Sequence, residues 1–352
     1  METKNIYFLI GLLLFSHAFG IQNIRKENDS NFVEIKESSE SQLSAAEQEA
    51  KTRALKFYPN FKFHEDEKYF PQSIESFNIN WSGVAMYDKT EHVEFGNYKG
   101  TTYKSNAPIY VSYKKNSDNS FYLTYVLLFP YNGCGAKLYC KVKLLGKKIY
   151  DDHYGVCPRG EHYLDKQTVQ MKFNSSEQVQ TIDITYHESW WNLTKNDLSW
   201  DGNHPQIYLA KGSHASYKSS ANTKYKNLYK NSANGGDNSV EMDLIDNTSN
   251  NGKYFTSSNI RLLKYGGAEA TGISNEERCF GFTYYGKMGK YVSYNIAETD
   301  AYKAMRAIGN AVKKVKKNWG NNILDAADEF KGDNTQGNPG NGVADKSFWK
   351  DY

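Results

Sequence analysis

Two runs of β-branched and aromatic residues, Pro108–Tyr113 and Phe121–Phe129, stand on either side of Asn116-Ser117-Asp118-Asn119. Such runs, bounded by an Asn/Asp/Ser cluster, read as a β-hairpin. This hairpin commits the middle of the chain to a sheet. Lys137–Leu145, Gln167–Phe173 and Gln178–Tyr186 have the same character and are expected to extend it, with Pro205–Ala210 as a further short strand. Residues 219–260, rich in Asn, Ser, Gly and Lys, read as loop with little regular structure.

Helical patterning is confined to the two ends of this β-rich region. Ser44-Ala45-Ala46-Glu47 fits a capping box, and Ala46, Ala50 and Ala54 then share one face. Asp300–Lys317 repeats Ala301, Ala304, Met305, Ile308, Val312 and Val315 at three- and four-residue spacing. Glu298 and Asp300 stand at its start and lysines at its end, matching the helix dipole. Ile323–Phe330 reads as a second helical piece. The expected fold class is therefore α+β and predominantly antiparallel β. It has a β-sandwich-like core, an N-terminal helical lead-in and a long C-terminal helix, in one domain over residues 44–352.

The first residues read as a targeting segment. Lys4 precedes the apolar run Ile6–Phe15, and Ala18-Phe19-Gly20 supplies small residues at a cleavage site, so residues 1–20 are expected to be a signal peptide. That run is shorter than the about 20 helical residues that cross a bilayer. Residues 21–43 are polar and read as a disordered or propeptide-like leader. The expected location is outside the cell or in the lumen of the endomembrane and vacuolar system. Sequons at Asn28, Asn80, Asn174, Asn192 and Asn247 are then glycosylation candidates. Cys134, Cys140, Cys157 and Cys279 permit two disulfides in three connectivities. The short spacing favours Cys134–Cys140 with Cys157–Cys279, and Cys140–Cys157 is the main alternative.

The formal charge of +3 is spread through the chain, which leaves no nucleic-acid footprint. One basic run stands out, Lys313-Lys314-Val315-Lys316-Lys317. It reads first as a solvated helix face and second as a contact for an anionic membrane or glycan. The 28 tyrosines suit both half-buried sheet surfaces and carbohydrate or partner binding.

Four blocks, in order, resemble the vacuolar protein sorting-associated protein 62 family, a family whose domain has no assigned biochemistry. They are Tyr58–Ser73, with Phe63-His64-Glu65-Asp66-Glu67 at its centre; Pro108–Tyr110 with Tyr125–Gly133; His204–Tyr217; and Asp246–Thr248 with Gly252 and Tyr254, followed by Phe282–Gly289. The resemblance covers about residues 52–352. It implies a link to vacuolar protein sorting and no defined reaction. Where the family carries Gly-Asp-Trp-Glu, this chain keeps Asp165 but has Lys166 and Gln167 in place of the tryptophan and glutamate. A fainter likeness is to the necrosis- and ethylene-inducing-like proteins, secreted β-sandwich cytolysins with a His-X-X-Asp-Trp-Glu motif beside a metal. His162 and Asp165 keep that spacing without the Trp-Glu pair.

Asp165, His187 and His214 are the candidate polar or metal site. Two neutral imidazoles and a carboxylate can hold a divalent metal with open positions for water, or do acid/base work. The plainer reading is a buried hydrogen-bond network that fixes loop ends. Ser213 and Ser216 flank His214 without a nucleophile-elbow motif. His64-Glu65-Asp66-Glu67 lacks calcium-loop spacing and reads as a turn between packed aromatics. Trp190 and Trp191, expected in a loop, are the candidate ligand surface. The function expected is non-enzymatic recognition of a lipid, glycan or protein surface. The alternatives are a metal-dependent hydrolase using Asp165, His187 and His214, and a membrane-active cytolysin.

Overall fold

A computed structural model describes residues 44–79, 92–158, 160–187, 189–263, 287–293, 295–332, 336–337 and 340–341. The signal peptide, the leader, Asn28, Asn80 and Cys279 lie outside the described residues. In chain order come α1 (Ala45–Phe57), β1 (Asn60–Lys62), β2 (His92–Val93), β3 (Ile109–Lys115), β4 (Phe121–Asn132), β5 (Lys137–Leu144), β6 (Lys147–Gly155), β7 (His162–Phe173) and β8 (Val179–Tyr186). They are followed by β9 (Ser189–Leu193), β10 (Trp200–Asp201), β11 (His204–Leu209), β12 (Ser216–Tyr217), β13 (Asn222–Ala233), β14 (Asn238–Asn247), β15 (Tyr254–Phe255), β16 (Ile260–Leu263), β17 (Lys287–Met288), α2 (Asp300–Lys313) and α3 (Lys317–Gly332). The fold is α+β, with mostly antiparallel sheets in a sandwich-like arrangement.

The expected hairpin is β3–β4, paired from Tyr110↔Val126 to Lys115↔Phe121. It sits inside a six-stranded sheet of order β16-β3-β4-β7-β8-β9, in which only β16 runs parallel to its neighbour. Beta-4 is mostly apolar and almost wholly buried because both of its faces are covered. Leu123, Tyr125, Leu127 and Phe129 pack against α1, Phe61 and Phe63 around β1, and Ile207 and Leu209 of β11. Val126 and Leu128 face a second cluster with Ile74, Phe77, Phe95 and Met288. The second layer of the sandwich is the five-stranded sheet β10-β11-β1-β15, with β12 also on β11. Helix α1 is pinned to the first sheet by Ala50, Ala54 and Phe57, and by Arg53 lying 4.1 Å over the Phe121 ring.

The segment at Lys137–Leu144 does not extend the hairpin sheet. Beta-5 begins a separate four-stranded sheet, β13-β14-β5-β6. The turn before it permits the change of direction. A side chain on Gly133 would overlap the Tyr69 ring, and one on Gly135 would meet the Lys211 carbonyl at 1.6 Å.

The reading of 219–260 as loop is also corrected, because β13 and β14 occupy most of it. Val240, Met242 and Leu244 of β14 alternate onto the helices, whereas β13 is a largely exposed edge strand. An edge strand tolerates the polar composition that mimics a loop. The expected C-terminal helix is α2, and the expected second piece at Ile323–Phe330 lies within the longer α3; the two run antiparallel and cover this sheet through Met305, Ile308, Val312, Ile323 and Phe330. The lysine run forms the corner between them rather than a helix face.

The disulfide joins Cys134 to Cys157, with Cα atoms 5.6 Å apart, and Cys140 is a buried free thiol. Both expected pairings are corrected by the β5–β6 register. Lys137 lies opposite Gly155, so Cys134 and Cys157 meet at the open end of the hairpin. Cys140 lies opposite Asp152 and packs under the helices. Burial pushes its thiol up to about 12. A disulfide is consistent with a secreted or lumenal protein. No helix among the described residues is long and apolar enough to cross a membrane.

Candidate functional site

After β11 the chain makes a tight turn. His214 N–H donates to the Ala210 carbonyl at 3.0 Å and Ala210 N–H to the Ala215 carbonyl at 2.9 Å. Gly212 and His214 take left-handed φ values of 66° and 53°. This turn drives the His214 ring inward, where it is 0% exposed and stacked on Phe129 at 3.8 Å.

Both ring nitrogens of His214 meet acceptors. Nδ1 lies 2.9 Å from Asp165 Oδ2, and Nε2 lies 3.2 Å from the Tyr69 carbonyl and 3.6 Å from Glu67 Oε1. A neutral imidazole has one donor only, so this arrangement calls for the doubly protonated cation. Burial alone lowers the His214 pKa, but the Glu67 charge and the Asp165 hydrogen bond outweigh it, and the group is pushed up to about 9. Burial likewise raises Glu67. The His214 charge and the Gly212 and Tyr69 N–H groups overcome that and hold its carboxyl below the usual range.

Other bonds close the network. Glu67 Oε1 accepts from Lys68 N–H and Tyr69 N–H, and Oε2 accepts from Gly212 N–H at 2.7 Å. Asp165 accepts from Lys166 N–H at 2.8 Å and from the Asn132 amide at 3.3 Å. Asn132 in turn receives Cys134 N–H at 3.1 Å. The opening segment, the end of β4, β7 and the 210–214 turn are thereby locked together.

His187 belongs to a different carboxylate. It stands in the β8–β9 turn with φ 47°, and its Nε2 lies 2.8 Å from Asp246 Oδ2. Tyr217 hydroxyl donates to the same oxygen at 2.8 Å. Burial, and then the Asp246 charge, push the Tyr217 phenol above its ordinary range. Asp246 is fully buried, and its Oδ1 has no hydrogen-bond partner among the described residues. The His187 side chain keeps 30% of its exposure and stacks on Tyr225 at 3.8 Å. Tyr186 adds ring contacts to Trp191 at 5.0 Å and Tyr217 at 6.2 Å. This is a half-open aromatic patch over a buried carboxylate.

The structure therefore brings Asp165 and His214 together and gives His187 to Asp246. Among the described residues no three His, Cys, Asp or Glu stand where they could hold a metal. His162 Nδ1 faces the Tyr163 and Leu164 carbonyls, at 3.2 and 3.1 Å, rather than Asp165. Ser213 and Ser216 hydroxyls make no hydrogen bond to His214. In the opening segment the carboxylates diverge. Glu65 bonds the Ser249 hydroxyl, Asp66 pairs with Lys211 at 3.2 Å, and Glu67 serves His214. Phe63 and Phe70 pack as expected, 5.4 Å apart and edge-on.

Trp190 and Trp191 lie on strand β9, not in a loop, and both are half-buried. They face opposite ways on the pleat. Trp191, opposite Ile184, packs on the main core, and Trp190 lies opposite Thr185. Of the described sequons, Asn192 is exposed, although its amide donates to Asp183 at 2.6 Å. Asn174 organises a turn by accepting Ser176 and Gln178 N–H, and the Ser249 hydroxyl of the Asn247 sequon is buried. Sequence reasoning missed Glu67 and Asp246 as the partners of the two histidines. Both stand in the family-like blocks, but nothing local says which histidine each one meets.

No family model and no curated protein matches the chain. Among solved structures, it is similar to one described as NLPPya in complex with mannosamine, at 13% identity and a TM-score of 0.29. The match covers 48% of this chain and 65% of that one, so the chain spans less than two thirds of that structure's length.

Proposed function

We propose that this protein is a secreted or endomembrane-lumenal recognition module without catalytic activity, of the kind implied by its resemblance to the vacuolar protein sorting-associated protein 62 family. The observation that supports this reading is the state of His214. Its ring is buried, both nitrogens are engaged, and its positive charge sits between two carboxylates. A group held that way has no free lone pair for a metal or for a substrate proton. This argues against the hydrolase reading, which needs Asp165, His187 and His214 to act together.

Recognition then falls to the half-open aromatic patch of Tyr186, His187, Trp191 and Tyr225, with Trp190 on the opposite face of β9. Flat rings with polar tips suit the apolar faces and hydroxyl edges of a glycan. Tyr225 is the residue to test, because it stacks on His187 at 3.8 Å from a largely exposed edge strand, whereas Trp191 also supports the main core. In a glycan-array screen of the purified chain, Tyr225→Ala is expected to abolish the signal while costing about 1–2 kcal/mol of stability, as for a half-buried residue. Vesicle leakage that Tyr225→Ala weakens, with no glycan signal, would replace this reading with the cytolysin one.

A further inference from the structure

The α2–α3 corner carries a charge pattern that the recognition patch does not use. Residues 301–324 contain no Asp or Glu, but they contain Lys303, Arg306, Lys313, Lys314, Lys316 and Lys317. The two helices run antiparallel. Arg306 pairs with Asp328 at 3.1 Å, and Gly309 and Gly320 pack against Leu324 and the Lys313 backbone. Acidic groups therefore gather at the open end of the helical hairpin, with Asp300 starting α2 and Asp325, Asp328 and Glu329 late in α3. The corner itself holds four lysines.

Several lysines elsewhere have acidic partners, as in Lys56–Glu177, Lys211–Asp66 and Lys224–Glu241. At the corner, among the described residues, none of the four makes an ion pair. Lys313, Lys314 and Lys317 are exposed, and Val315 between them is 52% exposed. Exposed Asn310, Asn318 and Asn322 flank them with amides and add no charge. Unneutralised positive charge concentrated within five residues raises the local concentration of a polyanion.

We propose that this corner is a docking site for a sulfated glycan chain. Lysine-rich short runs of this kind suit heparin-like polymers and nucleic acid alike. The Cys134–Cys157 disulfide favours an oxidising compartment, where the available polyanions are glycans. The corner also lacks the exposed interleaved aromatics on which single-stranded nucleic acid stacks. An inserting membrane contact would need large apolar side chains, and only Val315 is offered. The asparagine amides can bond sulfate and hydroxyl oxygens between the point charges of the lysines. This site is independent of the aromatic patch.

The test is heparin affinity of the full chain against salt. One variant carries Lys313→Gln, Lys314→Gln, Lys316→Gln and Lys317→Gln. A control carries Lys137→Gln, Lys147→Gln, Lys226→Gln and Lys230→Gln, four exposed lysines of the four-stranded sheet, and has the same net charge. Glutamine keeps helix propensity close to that of lysine. Circular dichroism and melting temperature confirm that each variant is folded. The corner variant is expected to bind heparin several-hundredfold more weakly, roughly fivefold for each lysine lost. The control is expected to stay within about threefold of wild type, since scattered surface charges contribute little each. The proposal fails if the corner variant elutes with wild type, if the control falls as far, or if wild type binds phosphatidylserine vesicles and not heparin.

Discussion

Two histidine–aspartate pairs lie among the described residues, and they differ in nearly everything except residue type. His214–Asp165 is sealed, stacked on Phe129 and balanced by a second carboxylate, Glu67. His187–Asp246 has a buried acid but a histidine 30% open to solvent on an aromatic surface. Burial decides what each pair can do. In the first, charge is trapped where water cannot screen it, so it braces four segments of chain. In the second, the exposed ring is available to a partner while the buried acid holds it in place.

The sharpest way to break this contrast is to remove each histidine. His214→Ala leaves Glu67 and Asp165 buried without their cation, and is expected to cost about 3–5 kcal/mol. A loss of that size lowers the melting temperature on the order of 10 °C in a chain this large. His187→Ala is expected to cost about 1–2 kcal/mol, because Tyr217 still donates to Asp246. Equal melting temperatures for the two variants would erase the distinction between a brace and a surface group.

The second expectation concerns pH. His214 is raised from 6.5 to about 9 in the folded state, so its contribution is complete below pH 6.5 and is lost as pH rises through about 9. Glu67 is lowered from 4.5, so its contribution is present above that value and is lost as pH falls through the depressed folded-state pKa. Melting temperature should therefore decline from about pH 7 to pH 9, by up to about 3 kcal/mol of stability. The decline should flatten in His214→Gln. A flat wild-type profile over that window means that the ring is not a cation.

The smallest effect sharpens the second pair. Tyr217→Phe removes one donor to Asp246 and is expected to cost about 1 kcal/mol. Combined with His187→Ala, it should cost more than the sum of the two, since the last donor to a buried carboxylate then goes. Additive melting shifts would show that water already serves Asp246.

Much of the framework could be read from local pattern. The β3–β4 runs and the three- and four-residue repeat of α2 are short-range signals, carried by neighbours in the chain, and they fall where the periodicity places them. Beta-13 was unreadable, because its Asn, Lys and Ser residues satisfy an exposed edge as well as a loop. Trp190 and Trp191 look like loop residues in sequence for a related reason. A short edge strand next to a tight turn leaves too few residues for alternation to show.

By itself, the sequence determined the fold class, the main hairpin, the helical ends, and that Asp165, His187 and His214 lie in polar settings within β-rich chain. Only the tertiary structure decided the pairings. Cys134 meets Cys157 because the β5–β6 register brings them together, not because of their spacing. His214 meets Glu67, 147 positions earlier, because the turn after β11 lands beside the opening segment. Periodicity records which face a residue presents, a matter of bond geometry over a few residues. Partner choice, burial and charge state depend on which distant segments share a core, and no local pattern carries that.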